Sequence, residues 1–205
     1  MALDVTSILE RFVTHEFVII VDFFLVFAKL AGVSFFIYFA FEWYRVVRFK
    51  SGNPQYASAR DQQANMTRAM MYFIASTLMW RFGEGIAAWG ELIWGVTNPV
   101  TQTGYSVAVY NQVISNASNL VNKSVASGQG LLSPIALKAC FSVASLFGLY
   151  SYTRGIMALT SIGNPQSGGQ MSKKQILVHI SSGIFLIYVD LFYQSTANSL
   201  IQKVQ

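Results

Sequence analysis

The stretch "RFKSGNPQYASARDQ", residues 48–62, decides how this chain is read, because its Gly52-Asn53-Pro54-Gln55 returns as Gly163-Asn164-Pro165-Gln166 in "LTSIGNPQSGGQMSKK", residues 159–174. Each residue of the tetrapeptide suits the junction of two helices. Glycine closes a helix in the left-handed conformation. Asparagine caps the next one, and proline fits its first position. The copies lie 111 positions apart (163 minus 52), each between a long apolar segment and a basic cluster. Tyr44-Arg45 precedes the first and Thr153-Arg154 the second, while "TRAMMYFIASTLMW" and "VHISSGIFLIYVD" follow. Identity beyond the tetrapeptide is low, so a duplication and a good turn reached twice both fit.

Working outward, residues 3–13 place Leu3, Ile8, Leu9, Phe12 and Val13 near one face, which predicts a short amphipathic helix. A long apolar run follows from about Phe17 to Arg48, and a second from about Met66 to Trp94. Residues 96–133 are rich in Asn, Ser, Thr, Val and Gln, and Val109, Val113, Ala117, Leu120 and Val125 suggest a weakly amphipathic helix there. A third apolar helix is predicted over 134–161, with Ser133 as cap and Pro134 in its first turn, and a fourth over 172–204. The expected fold is all-α and membrane-type: two tandem helical hairpins, four long helices in all, plus the short N-terminal amphipathic helix. By domain, residues 1–95 hold that helix and the first hairpin, 96–133 a polar outward connector, and 134–205 the second hairpin.

Composition agrees with an apolar surrounding. Hydrophobic residues make up 53% of the 205 and aromatics 15%. Charged residues supply only 11%, less than half the roughly 25% usual in soluble domains. The mean hydropathy is +0.43. Cys140 has no partner for an internal disulfide and reads as a small buried apolar residue. Asp4 and Glu10 stand where a secretory signal would be basic, so no cleaved leader is expected.

The placement of charge sets an orientation. Two consecutive hairpins enter a membrane from the same side, so both tips face one compartment, and the termini and 96–133 face the other. Arg45, Arg48, Lys50, Arg60 and Arg68 surround the first tip; Arg154, Lys173 and Lys174 surround the second. These are eight of the 14 basic residues, against Glu42 and Asp61 as the only acids nearby, whereas Lys123 stands alone in 96–133. By the positive-inside rule the tips are cytoplasmic.

The charge-free runs are short. Leu30–Phe41 and Ala69–Trp80 have twelve residues each, and Ala139–Thr153 and Gln175–Val189 fifteen. A lipid-exposed helix wants about 20. Asp22, Lys29, Arg81, Glu84 and Asp190 would then lie in or near hydrocarbon, each costing about 2.5–3.5 kcal/mol unless paired or facing protein. Two readings follow. Either the charges pair inside a stable membrane bundle, with Arg81 and Glu84 a natural pair, or the apolar faces are meant to be covered by other subunits.

Catalytic chemistry has no foothold. His15 and His179 sit on separate helices, no HExxH, CxxC or phosphate-binding loop occurs, and the glycines of "RFGEGIAAWG" read as close-packing points. No enzyme, catalytic residue, metal or cofactor is expected. The basic tips are the candidate site. Their bland reading is topology alone; the functional one is contact with anionic headgroups or nucleic acid, each Lys or Arg contributing about 1 kcal/mol at an anionic surface. Tyr44, Phe49 and Tyr56 interleave with Arg45, Arg48 and Lys50, as suits an interface or single-stranded DNA.

The segment "LFGLYSYTRGIMALTSIGNPQSGGQMSKKQILVHISSGIFLIYVDLF", residues 146–192, resembles the IcmC/DotE family of type IVB secretion systems and its IncI-plasmid relative TraQ. The shared pattern is an apolar helix ending in Arg154-Gly155-Ile156, a Gly-bearing polar loop, a basic helix start, and an apolar helix carrying Gly183. The first hairpin departs from it, since Val46 rather than Gly follows Arg45. In architecture each hairpin is also similar to the conjugative pilins, whose basic loops face a phospholipid-lined lumen. The resemblance implies a pilin-like structural subunit of a conjugative pilus or type IVB apparatus, in a bacterial inner membrane and exported into an extracellular pilus. Its implied partners are copies of itself in a helical polymer, other secretion-system subunits, and anionic phospholipid such as phosphatidylglycerol. Single-stranded DNA would pass through without sequence-specific binding. Arg45, Arg48, Lys50, Arg60, Arg68, Arg154, Lys173 and Lys174 would take the lumen-facing role. A permanent platform component of the same machinery and a small transporter or channel are the alternatives.

Overall fold

The structure, a computed structural model, describes residues 5–50, 66–94, 134–162, 171–189 and 191–192. Nearly all of these are helical and none lies in a strand, as the apolar periodicity predicts. In chain order the elements are α1 (Val5–Arg11), a π-helical turn (Phe12–Glu16), α2 (Phe17–Lys50), α3 (Met66–Trp80), α4 (Phe82–Trp94), α5 (Pro134–Leu159) and α6 (Lys173–Ile187). Both GNPQ tetrapeptides, Arg60, the connector 96–133 with its expected helix, and 193–204 of the fourth helix lie outside the described residues.

Two elements differ from expectation in instructive ways. The N-terminal helix is not separate: α1 runs through the π turn straight into the 34 residues of α2. Within the π turn the Phe17 amide donates to the Phe12 carbonyl, five residues back rather than four. The wider turn brings Arg11 Nε to 3.7 Å from Glu16 Oε1, five positions on. Both side chains are exposed, so the pair adds little.

The second apolar run is two helices, not one. α3 stops at Trp80 and α4 starts at Phe82, with Arg81 in a turn between them. The Arg81 amide still reaches Thr77 O at 3.0 Å. Gly83 and Gly85 follow in the first turn of α4, and glycine is the weakest ordinary helix former. At the start of α6, Ser172 and Gln175 form a capping box: the Ser172 amide donates to Gln175 Oε1 at 2.8 Å, and the Gln175 amide to Ser172 Oγ at 3.2 Å.

One helix among the described residues, Val5–Arg48, is long and apolar enough to cross a membrane by length and composition. Its most apolar stretch is only 22% buried, unlike the core helix of a soluble protein. The other described helices fall short of that test. α3, α4 and α6 have only 15, 13 and 15 residues, while α5, with 26, carries Lys138, Arg154 and a series of serines.

The chain divides into two compact units. In the unit formed by residues 1–25, 83–150 and 182–205, Val13, Phe17 and Val21 follow one another at four-residue steps as buried side chains. Ile86, Phe141, Leu149, Ile184 and Ile187 complete its core. Here α5 and α6 meet backbone to backbone, since a Cβ added at Gly148 would lie 2.7 Å from Gly183 O and from Ile187 N. Ser145 Oγ donates to Ile187 O at 3.3 Å, and the Tyr188 hydroxyl to Ile86 O at 2.9 Å.

In the unit formed by residues 26–82 and 151–181, α2 turns Ala28, Gly32, Phe35, Phe39, Glu42 and Val46 inward at alternating steps of four and three, the seam spacing of paired helices. The partners on α3 descend as the α2 numbers rise. Gly32 meets Ser76, Met79 and Trp80; Phe39 meets Phe73 at 5.1 Å between centroids; Tyr38 stacks on Tyr72 at 5.7 Å; Glu42 meets Arg68. α2 and α3 therefore pack antiparallel. Phe82 and Tyr152, both nearly inaccessible, hold their rings 5.2 Å apart, an arrangement that contributes about 0.5–1.5 kcal/mol beyond area burial.

Candidate functional site

Glu42 sits on the inner seam of α2, in a segment whose neighbours are Phe39, Ala40, Phe41 and Trp43. It is 4% exposed. A carboxylate so placed needs compensation, and two arginines supply it. Arg45, one turn along the same helix, holds Nη1 3.2 Å from Glu42 Oε1. Arg68, in the first turn of α3, holds Nη2 3.5 Å from the same oxygen. The Arg68 guanidinium also lies 5.9 Å over the Tyr72 ring, which Tyr38 stacks upon. Its Nε is buried and has no acceptor among the described residues. The group carries one net positive charge.

The remaining basic residues are spread more openly. Arg48 and Lys50 close α2, with Arg48 exposed; Arg154 is exposed on α5; Lys173 and Lys174 are exposed in the first turn of α6. Cations at a helix N-terminus oppose the macrodipole by about 0.3–1 kcal/mol each, so those lysines are not there for the helix. Arg45, Arg48, Arg68, Arg154, Lys173 and Lys174 all belong to the unit of residues 26–82 and 151–181. Among them the geometry brings Arg45 and Arg68 together. Arg60 and the tip residues Gly52, Asn53, Pro54, Gln55, Gly163, Asn164, Pro165 and Gln166 are outside the described residues.

Sequence reasoning missed Glu42. It counts as one acid near a basic tip until α3 packs on α2 and folds it inward, although Arg45 three positions on was a signal. Cys140 is also corrected. It is exposed rather than buried, because α5 turns outward at Cys140, Val143, Phe147, Tyr150, Arg154 and Met157, one strip at steps of three and four. His179 is a packed polar residue. Its Nδ1 is 3.1 Å from Ser151 Oγ, which also donates to the His179 carbonyl at 3.0 Å. Among the described residues no group of three or more His, Cys, Asp or Glu side chains comes together. No family model, curated protein or solved structure matches this chain.

Proposed function

We propose that this chain is a structural, pilin-like subunit of a conjugative pilus or type IVB secretion apparatus. Two tandem hairpins insert into the inner membrane with their tips on the cytoplasmic side. Copies then pack through apolar helix faces into a conduit for single-stranded DNA and its protein pilot. The basic tips line that conduit against phospholipid headgroups.

The outer face of α2 carries this reading. Val26, Leu30, Phe36, Ile37, Tyr38, Phe41 and Tyr44 are each 50% or more exposed, on a helix of about 50 Å at 1.5 Å per residue. So many large apolar side chains exposed along one helix are unusual for a soluble monomer, whose largest apolar patch is about 300–600 Å². Lipid alone covers this face poorly. Asp22 and Lys29 are exposed on the same helix, and the charge-free run from Leu30 to Phe41 extends about 18 Å where hydrocarbon is about 30 Å thick. Sister molecules answer both facts. The contacts at Gly32, Gly148 and Gly155 add support, because small residues that let backbones touch are how helices pair in a membrane. The helix ends that flank both tetrapeptides also belong to one unit, in keeping with tips that share a side.

The deciding experiment is mass spectrometry of filaments sheared from cells that express the chain. Its presence as the main component supports the proposal. Its confinement to the inner membrane would favour the platform alternative. In a Cys140→Ser background, cysteines at Ser58 and Ser167 should resist an impermeant thiol reagent applied from outside, and one at Ser118 should react. Labelling of Ser58 and Ser167 positions from opposite sides would break the hairpin topology.

A further inference from the structure

Arg45 and Arg68 spend one terminal nitrogen each on the same oxygen of Glu42. Those two nitrogens therefore stand no farther apart than 3.2 Å and 3.5 Å laid end to end. A phosphate with two unesterified oxygens, accepting charge-assisted bonds of about 2.7–2.9 Å, spans such a gap. Each guanidinium has five N–H donors, so most of them remain after Glu42 is served. The Arg68 Nε–H has no acceptor among the described residues, and the cluster keeps one positive charge that no described acid offsets, in surroundings rich in aromatic rings. Tyr72 under Arg68, itself stacked on Tyr38, holds the guanidinium plane. The side chains of Arg45 and Arg68 remain 36% and 25% exposed, so an incoming anion can reach them.

We infer that Arg45 and Arg68, positioned by Glu42, form a binding site for one phosphate group, supplied by an anionic phospholipid headgroup or by free phosphate. The lipid source rests on the proposed placement of this end of α2 and α3 at headgroup level. Glu42 acts as a positioning residue: it fixes two forks side by side that would otherwise repel. Lys173 and Lys174, exposed and without a neighbouring acid in the described structure, attract anions diffusely instead.

The test separates a built site from general charge. The full chain is reconstituted in phosphatidylcholine nanodiscs with a minor fraction of phosphatidylglycerol, and lipid retained after gentle extraction is measured by native mass spectrometry. A second arm titrates inorganic phosphate into detergent-solubilised chain and follows the phosphorus resonance. Arg68→Lys keeps the charge but loses the fork, and should cut retained phosphatidylglycerol tenfold or more. Arg45→Lys, at the more exposed arginine, should do the same and guards against a folding defect, which circular dichroism checks. Replacing both Lys29 and Lys138, which lie outside the basic tips, with Gln removes two charges and should leave the retained lipid within twofold. Phosphate binding in the second arm that disappears with Arg68→Lys identifies phosphate itself as sufficient; retention of lipid alone identifies the headgroup source. Wild-type retention by both Lys variants, or binding that follows total charge, would overturn the site. So would failure of the wild type to hold either probe, even if filaments contain the chain.

Discussion

Adding one methyl group at Gly148 should do more damage than adding it at Gly155 or Gly32. A Cβ there would lie 2.7 Å from Gly183 O and Ile187 N and 2.9 Å from Ile187 Cγ1. Ordinary contact begins at 3.4 Å, so α5 and α6 must part locally by 3.4 less 2.7, or 0.7 Å. Two of the three atoms are backbone and cannot rotate aside. Overpacking of this kind costs about 1–3 kcal/mol. Parting the helices also stretches the 3.3 Å bond from Ser145 to Ile187 O, which forfeits about 0.5–1.5 kcal/mol. Alanine returns about 1 kcal/mol of helix propensity, so a net loss of about 0.5–3.5 kcal/mol remains. At Gly32 the three nearest atoms are all backbone but stand farther off, at 2.9, 3.2 and 3.3 Å, so the helices need part by only 3.4 less 2.9, or 0.5 Å, and the loss is smaller. At Gly155 the closest neighbour, at 2.6 Å, is the movable Ile180 Cγ1, and the nearest backbone atom, Ile180 N, stands at 3.0 Å, so the loss there is smaller too. The assay is SDS-titrated unfolding of the three alanine variants in micelles, followed by far-ultraviolet circular dichroism. A Gly148→Ala midpoint at or above wild type, or Gly32→Ala as the worst of the three, would refute the close-contact argument.

Glu42→Gln leaves two guanidiniums facing a neutral amide; given the partial exposure of both arginines, the loss should be about 2–3 kcal/mol, below the full cost of breaking a buried pair. Adding Arg68→Leu to it should recover part of that loss in the same titration, and a purely additive double variant would argue against coupling. Ser172→Ala removes one half of the capping box and should cost about 1 kcal/mol, visible as faster hydrogen exchange confined to the first turn of α6. Ser151→Ala takes away both contacts to His179 and should lower stability by about 1 kcal/mol; an unchanged imidazole resonance in the variant would contradict the hydrogen bond.

Helix class and several helix starts were legible because local chemistry sets them. Proline at 134 and the Ser172–Gln175 pair mark the starts of α5 and α6, and Met66 opens α3 as the return of apolar periodicity predicts. Interior irregularities were less legible. Arg81 and Glu84 stood within one predicted helix, whereas the chain breaks at Arg81, a backbone feature that hydropathy does not mark. The π turn has no compositional signature either. The burial of Glu42 and the exposure of Cys140 depend on which way each helix is rotated. In segments apolar on nearly every side, as α2 and α5 are, the amphipathic cue that would fix rotation is absent. The basic cluster could thus be read from composition, but the pairing of Arg45 with Arg68 could not.

The wide turn at Phe12–Glu16 carries a last implication for how the leading segment is aimed. It amounts to one residue more than a regular coil would hold. Excising a single position there would restore regular winding, yet swing everything ahead of it by about 100° around the axis. Val5 and Ile8, now facing outward, would then look along a different bearing, while Val13, Phe17 and Val21 stayed docked or were torn loose depending on which side gave way. The direction of residues 5–11 is accordingly set by a count of residues in the turn that follows them.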